Sequence, residues 1–341
     1  MDLTRRSFLT ATAATGAAAV AGNALALDKW GRDRDWTGQT PVSYPEPAWE
    51  IMDKKFGGRQ GNAKLERLWT GALWLEGPVY MGDWKCFLCS DIPNHRVLRW
   101  NEDNGEVSVF QTESFYANGH IRDRVGRLIA CEHDSRRVRR LEHDGNWSVL
   151  IDTFNGKKLN GPNDVAVMSD GSIWFTDPGY GILGPYEGHK DTLELPCNVY
   201  RIDPQSGKAE VVVDDFRRPN GLCFSPDEHR LFVNDTERMH IRVFDVRSDG
   251  RLSGGSVWAE LTGEGQGGPD GMKIDSAGNL YCCGPGGVHV FAPDAHCLGV
   301  IRVPEVVANF TWGEDDMQSL FLTASGSLYR ARVRTAGVPL F

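Results

Sequence analysis

Several features are missing from this 341-residue chain, and each absence narrows its class. Basic residues are not in excess: Asp and Glu number 46 against 37 Lys and Arg, a formal charge of −9. That balance argues against nucleic acid as a partner. Past the first 26 residues no apolar run approaches the roughly 20 residues of a membrane span, so no membrane partner is expected. Neither a G-x-S-x-G elbow nor an H-E-x-x-H helix occurs, which removes the serine-nucleophile and zincin routes to hydrolysis. Eight cysteines are scattered, and Cys86-x-x-Cys89 has no second pair to complete a zinc set. On a strand those two thiols would point to opposite faces. A disulfide is compatible with export, but the spacing names no pair.

What is present begins with a leader. Thr4-Arg5-Arg6-Ser7-Phe8-Leu9 carries a twin-arginine pattern, an Ala/Gly-rich run follows, and Ala24-Leu25-Ala26 offers a small-residue cleavage site. Residues 1–26 therefore read as a signal peptide, with the twin-arginine export machinery as the precursor's partner. The expected destination is the periplasm or the exterior. Residues 27–60, rich in Trp, Pro, Gly and charge without a period, read as an irregular N-terminal arm. Residues 61–341 read as one domain.

Within that domain a hairpin recurs. Asn163 precedes a strand-like run, Ser169-Asp170-Gly171 supplies a turn, and a β-branched and aromatic run returns to Asp177. Comparable units open at Glu76, Asn118, Asn220, Asp270 and Asn309, at intervals of roughly 40 to 60 residues. Six such units predict an all-β, six-bladed β-propeller; the competing architecture is a large sandwich with similar turns. Residues 64–70 read as a strand that completes the last blade and joins the two chain ends. The glycine-rich insertion at 179–195 follows Asp177 directly, where a lid or substrate wall would stand.

If each anchor opens an innermost strand, Glu76, Asn118, Asn163, Asn220, Asp270 and Asn309 converge on one end of the channel. Asp91, His133, Asp177 and Asp235 would form an outer ring, and His120 would share the channel side with Asn118. Crowded carboxylates and carboxamides call for a positive charge among them. An all-oxygen set suits Ca²⁺ first, Mg²⁺ or Mn²⁺ next, and Zn²⁺ less well. The competing reading makes each Asn-Gly or Asp-Gly a simple turn former. His133 and His120 likewise read either as proton-handling groups or as hydrogen-bonded strand residues.

Taken in order, EGPV at Glu76, NGPND around Asn163, PNGL at Asn220 and PDGM at Asp270 resemble the senescence marker protein/gluconolactonase/luciferin-regenerating enzyme family. The run from Leu159 to Gly181 looks most like its exported bacterial gluconolactonase branch, and diisopropyl fluorophosphatase and paraoxonase are similar at a greater distance. The resemblance implies a six-bladed propeller with one catalytic divalent cation held by Glu76, Asn163, Asn220 and Asp270. It further implies hydrolysis of a sugar lactone's ring ester, with Asp270 also acting as general base and His133 as the alternative proton acceptor. Asn118, His120 and Asn163 are the expected substrate contacts. One position departs: where animal members carry a sugar-holding arginine, this chain has Gly161. The rival readings are a promiscuous lactonase/phosphotriesterase of the same type and a non-enzymatic propeller that binds a ligand or partner.

Overall fold

Six antiparallel blade sheets follow one another along the described residues, each running from an innermost to an outermost strand, with a two-stranded ribbon of Thr153–Phe154 and Lys157–Lys158 beside them. The computed structural model describes residues 36, 46, 48–58, 60–61 and 63–339. Blade 1 comprises Leu75–Met81, Cys86–Asp91, Arg96–Asn101 and Val107–Thr112; blade 2 comprises Ala117–Arg122, Leu128–Glu132, Arg137–Leu141 and Trp147–Ile151. Blade 3 holds Val165–Val167, Ile173–Asp177, Asn198–Ile202 and Ala209–Val213, and blade 4 holds Pro219–Phe224, Arg230–Asp235, His240–Val246 and Leu252–Glu260. Blade 5 runs through Met272–Ile274, Leu280–Gly284, Gly287–Phe291 and Cys297–Arg302. Blade 6 has Val307–Gly313, Ser319–Ala324 and Ser327–Arg332, and its outermost strand is Glu66–Thr70 from the other end of the domain. That pairing, Glu66 opposite Arg330 and Thr70 opposite Ser327, is the ring closure expected from the sequence.

The propeller arises because each blade buries both faces of its second strand. In Ile173–Asp177, Phe175 joins a cluster with Ile121, Ile129 and Tyr200, while Trp174 joins one with Leu222, Leu231 and Val233. Alternate side chains thus feed the two neighbouring interfaces, which makes the middle of each second strand apolar while its end carries the buried polar residues of the mouth. The same alternation sends Cys86 and Cys89 into different clusters. All eight cysteines are free thiols.

The leader lies outside the described residues. Of the arm, Trp49–Ile51 forms a strand that pairs with Cys297–Arg302 and makes blade 5 five-stranded. A short helix, Lys54–Gly57, follows and buries Phe56 against Trp49 with ring centroids 5.0 Å apart. The arm is therefore regular where it covers a sheet edge. Among the described residues no helix is long and apolar enough to cross a membrane.

Candidate functional site

The anchors meet because glycines let the innermost strands approach. A Cβ on Gly77, Gly119 or Gly221 would fall 1.7, 2.3 or 2.3 Å from the carbonyl oxygen of Asn118, Asn163 or Asp270, the anchor of the next blade. The recurring anchor-glycine pair is thus a close-approach device in these blades, with its polar side chain left free to point elsewhere. Four innermost strands also slip register at the anchor, between Glu76 and Val79, Ala117 and His120, Pro219 and Leu222, and Val307 and Asn309. Such bulges re-aim a side chain out of simple alternation.

All six anchors are brought together. The Asn118 carboxamide donates to Asn163 Oδ1, Asn163 Nδ2 donates to Asn220 Oδ1 at 2.5 Å, and Asn220 Nδ2 reaches Thr236 Oγ1 at 3.1 Å. On the other side of the ring the Glu76 carboxyl faces the carboxyl of Asp270 and the carboxamide of Asn309. Asn309 also faces Asp164, whose Oδ1 accepts from Val165 N at 2.9 Å while its buried Oδ2 has no hydrogen-bond partner.

Burial pushes the Glu76 carboxyl up to about 7. Burial, and then the facing Glu76, push Asp270 well above the usual carboxylate range, and burial raises Asp164 as well. Two facing carboxylates cannot both ionise without a proton or a cation between them. Among the described residues no three His, Cys, Asp or Glu side chains gather as a metal cluster. A cation here would rest on a mixed set of Glu76, Asp270 and the carboxamides of Asn163 and Asn220, all oxygen donors. The paired acids fit a hard divalent ion.

The outer acidic residues have a different job. Asp177 accepts from the N–H groups of Asn160 and Gly161 at 2.8 and 2.7 Å, and Asp235 from those of Arg217 and Arg218 at 2.8 and 3.2 Å. Asp91 accepts from Leu73 N at 3.0 Å and pairs with Arg96 at 2.8 Å. Leu73, Asn160 and Arg217 stand at the same offset before their anchors. Each carboxylate thus brackets the segment that leads into its innermost strand.

His133 is buried, and desolvation holds its imidazole below the usual range. Its Nδ1 lies 3.2 Å from the Glu187 carbonyl and so must donate; its Nε2, 3.3 Å from Asn118 Nδ2, then accepts. His120 is also buried, its Nδ1 donating to Gly77 O at 3.0 Å, and burial pushes it down to about 4.

The 179–195 insertion caps this mouth. Tyr186 reaches across to the Leu73 carbonyl of blade 1 at 3.2 Å, His189 pairs with Asp134 at 2.6 Å, and Asp191 with Arg136 at 2.8 Å. A Cβ on Gly161 would lie 3.6 Å from Gly179 Cα, so the insertion covers the position where the sequence departs from the family pattern. Sequence reasoning missed Asp164, Tyr180 and Arg218. Tyr180 is a partly exposed insertion residue with a buried hydroxyl beside Thr236 and Asn220, and the Arg218 guanidinium lies 5.9 Å from its ring. Asp164 had a signal, since among the strongest copies only NGPND puts an acid after its anchor.

Comparison with known proteins places the chain in a family and a fold. The family model described as SMP-30/Gluconolactonase/LRE-like region matches residues 74–326. A gluconolactonase of Zymomonas mobilis is 33% identical over 297 residues, covering 80% of this chain and 82% of that protein. The solved structure of a gluconolactonase from Xanthomonas campestris is 36% identical with a TM-score of 0.78, covering 84% of this chain and 94% of that one. A regucalcin from Agrobacterium tumefaciens, described as calcium-binding, shares the fold at 18% identity and TM-score 0.67, covering 82% and 95% of the two chains.

Proposed function

We propose, from the premise that this chain belongs to the SMP-30/gluconolactonase/LRE-like family, that it hydrolyses the ring ester of a sugar lactone at a divalent-cation site on the propeller axis. That it is a lactone-opening carboxylic ester hydrolase follows from its relatives; the cation, the residue roles and the identity of the lactone are our reading. The observation that carries it is the Glu76–Asp270 carboxyl pair, with half-buried Asp270 facing the buried Glu76 among the buried Asn163 and Asn220.

Glu76, Asn163, Asn220 and Asp270 would hold the cation, with Ca²⁺ favoured by the oxygen donors. When bound, the ion would supply Lewis-acid polarisation of the lactone carbonyl. Asp270, whose proton affinity is raised by burial, takes the proton from the attacking water. His133, with both ring nitrogens engaged, holds Asn118 and the cap in place. Asn118 and His120 complete the wall on that side. The buried ring keeps bulk water from competing for these donors.

A panel of sugar lactones with metal-stripped protein, reloaded with one cation at a time, tests this reading. Turnover of glucono-1,5-lactone restored by Ca²⁺ or Mn²⁺ supports it. Full turnover in the presence of a chelator would refute the cation's role, and no turnover of any lactone would refute the activity. We further propose twin-arginine export to the periplasm, on the Arg5-Arg6 leader.

A further inference from the structure

The channel has a second end, and its chemistry differs from that of the capped mouth. Below the anchors, where the first and second strands of the blades turn, a cavity of about 690 Å³ opens on the axis. That size is ordinary for a small-molecule site. Every blade contributes to its wall, and Val338 and Pro339 join them from the C-terminal segment. Three residues after the anchors, the wall is formed by Val79, Ile121, Ala166, Cys223, Lys273 and Trp312. Five of these are buried and apolar, and Lys273 is half-buried.

The other charges on the wall are matched. Arg122 pairs with Asp83, Arg124 with Glu228 at 2.8 Å, Asp315 with Lys85, and Glu314 with Arg330 at 2.7 Å. Asp227 accepts from Ser225 Oγ at 2.5 Å and His229 N at 3.1 Å. Lys273 differs: among the described residues its ammonium has no hydrogen bond and no ion pair. Its charge favours ionisation of the buried Asp164, but that carboxylate lies beyond ion-pair distance, and the three N–H donors stay unused. An ammonium half-buried among apolar side chains calls for an anion. One lysine offers a point charge without the planar fork of arginine, which suits a monoanion better than a phosphate. We propose that the lower end of the channel binds an amphipathic monocarboxylate, its carboxylate on Lys273 and its hydrocarbon body against Val79, Ile121 and Trp312. The site is separate from the lactone-opening reaction and stands or falls independently of it. An aldonate, the product of that reaction, is also a monocarboxylate, but its hydroxyls would lose hydration against these walls.

Calorimetric titration with octanoate, octan-1-ol and D-gluconate, each in the presence of Ca²⁺ and of a chelator, tests this. Octanoate should bind wild type at least about 10-fold more tightly than either of the others, because only it supplies both charge and hydrocarbon. Its affinity should be the same in both conditions. Lys273→Met keeps the side-chain length and should weaken octanoate about 10- to 100-fold, with octan-1-ol changed by under about threefold. Lys273→Arg should keep most of the octanoate affinity. Gluconate bound as tightly as octanoate would make this end a product site and overturn the hydrocarbon reading. Octanoate binding that vanishes with the chelator would put the carboxylate on the cation above and overturn the proposal. So would equal losses of octanoate and octan-1-ol in Lys273→Met, no loss of either, or no binding of octanoate to wild type. The ligand comparisons in wild type need no variant, so they decide the matter even where Lys273→Met is unstable.

Discussion

The carboxyl groups of Glu76 and Asp270, from blades 1 and 5, face one another across the strand that carries Asn309. Both are raised, so in the absence of a cation they retain a proton between them. Asp270→Asn removes a charge and the proposed base; Glu76→Gln removes a charge only. Activity on a lactone should fall by at least about 10²-fold in Asp270→Asn even when saturated with Ca²⁺. Glu76→Gln should recover much of its activity at saturating Ca²⁺. If Asp270→Asn recovers as well, Asp270 holds the ion and the base lies elsewhere.

Protons and the proposed cation would compete for these two acids. The Glu76 carboxyl titrates at about 7 rather than in the usual range. Ca²⁺ binding should therefore weaken as pH falls through about 7 and go on strengthening above it, because Asp270 still holds its proton there. Calorimetry at pH 6 in buffers of different ionisation enthalpy should report close to two protons released per ion bound, because both carboxyls are protonated there. The absence of any release would mean that the acids are already ionised in the free protein.

His120 makes a stability prediction with a definite sign. Its folded value is pushed down to about 4 by burial, below the usual 6.5, so the unfolded chain binds the extra proton in that window. Stability is then full above about 6.5 and declines as pH falls toward 4. Urea midpoints of His120→Asn should lie below wild type at pH 7.5 and decline less between 6.5 and 4. Parallel curves would show that His120 does not drive the acid limb.

Gly77→Ala should be among the most damaging single-methyl changes in the protein. The added carbon would meet Asn118 O at 1.7 Å, and the backbone there has φ of 55°. Overpacking and the left-handed conformation together predict a loss of about 2–4 kcal/mol in stability. A melting curve like that of wild type would contradict the close approach.

The leader predicts that Arg5→Lys with Arg6→Lys blocks appearance of mature protein outside the cytoplasm. Immunoblots of periplasmic and cytoplasmic fractions decide it, and normal export of the variant would rule out the twin-arginine route.

The blade count and the ring closure were legible in the sequence because hairpins repeat with their turns and anchors at steady offsets. The identities of the converging anchors were legible for the same reason. Their facing was not. Bulges at Glu76, Ala117–His120, Pro219 and Val307 break the two-residue alternation, so position along a strand does not fix which way a side chain points. Asp91, Asp177 and Asp235 read as an outer ring because strand ends converge there; their partners are backbone N–H groups, which carry no residue signature. Tyr180 was invisible for a related reason, since an irregular insertion has no period from which to read direction.

The strand Glu66–Thr70 sits beside Ser327–Arg332, so blade 6 exists only once nearly the whole chain has been made. Glu76 and Asp270 lie on the two blades that flank it. The pair cannot meet on a ribosome-bound fragment, and a chain cut short before the final strand would keep every proposed ligand yet assemble no site. Competence to bind the proposed ion would thereby be coupled to the latest and most non-local step of folding. The axis serves as the molecule's own completion check.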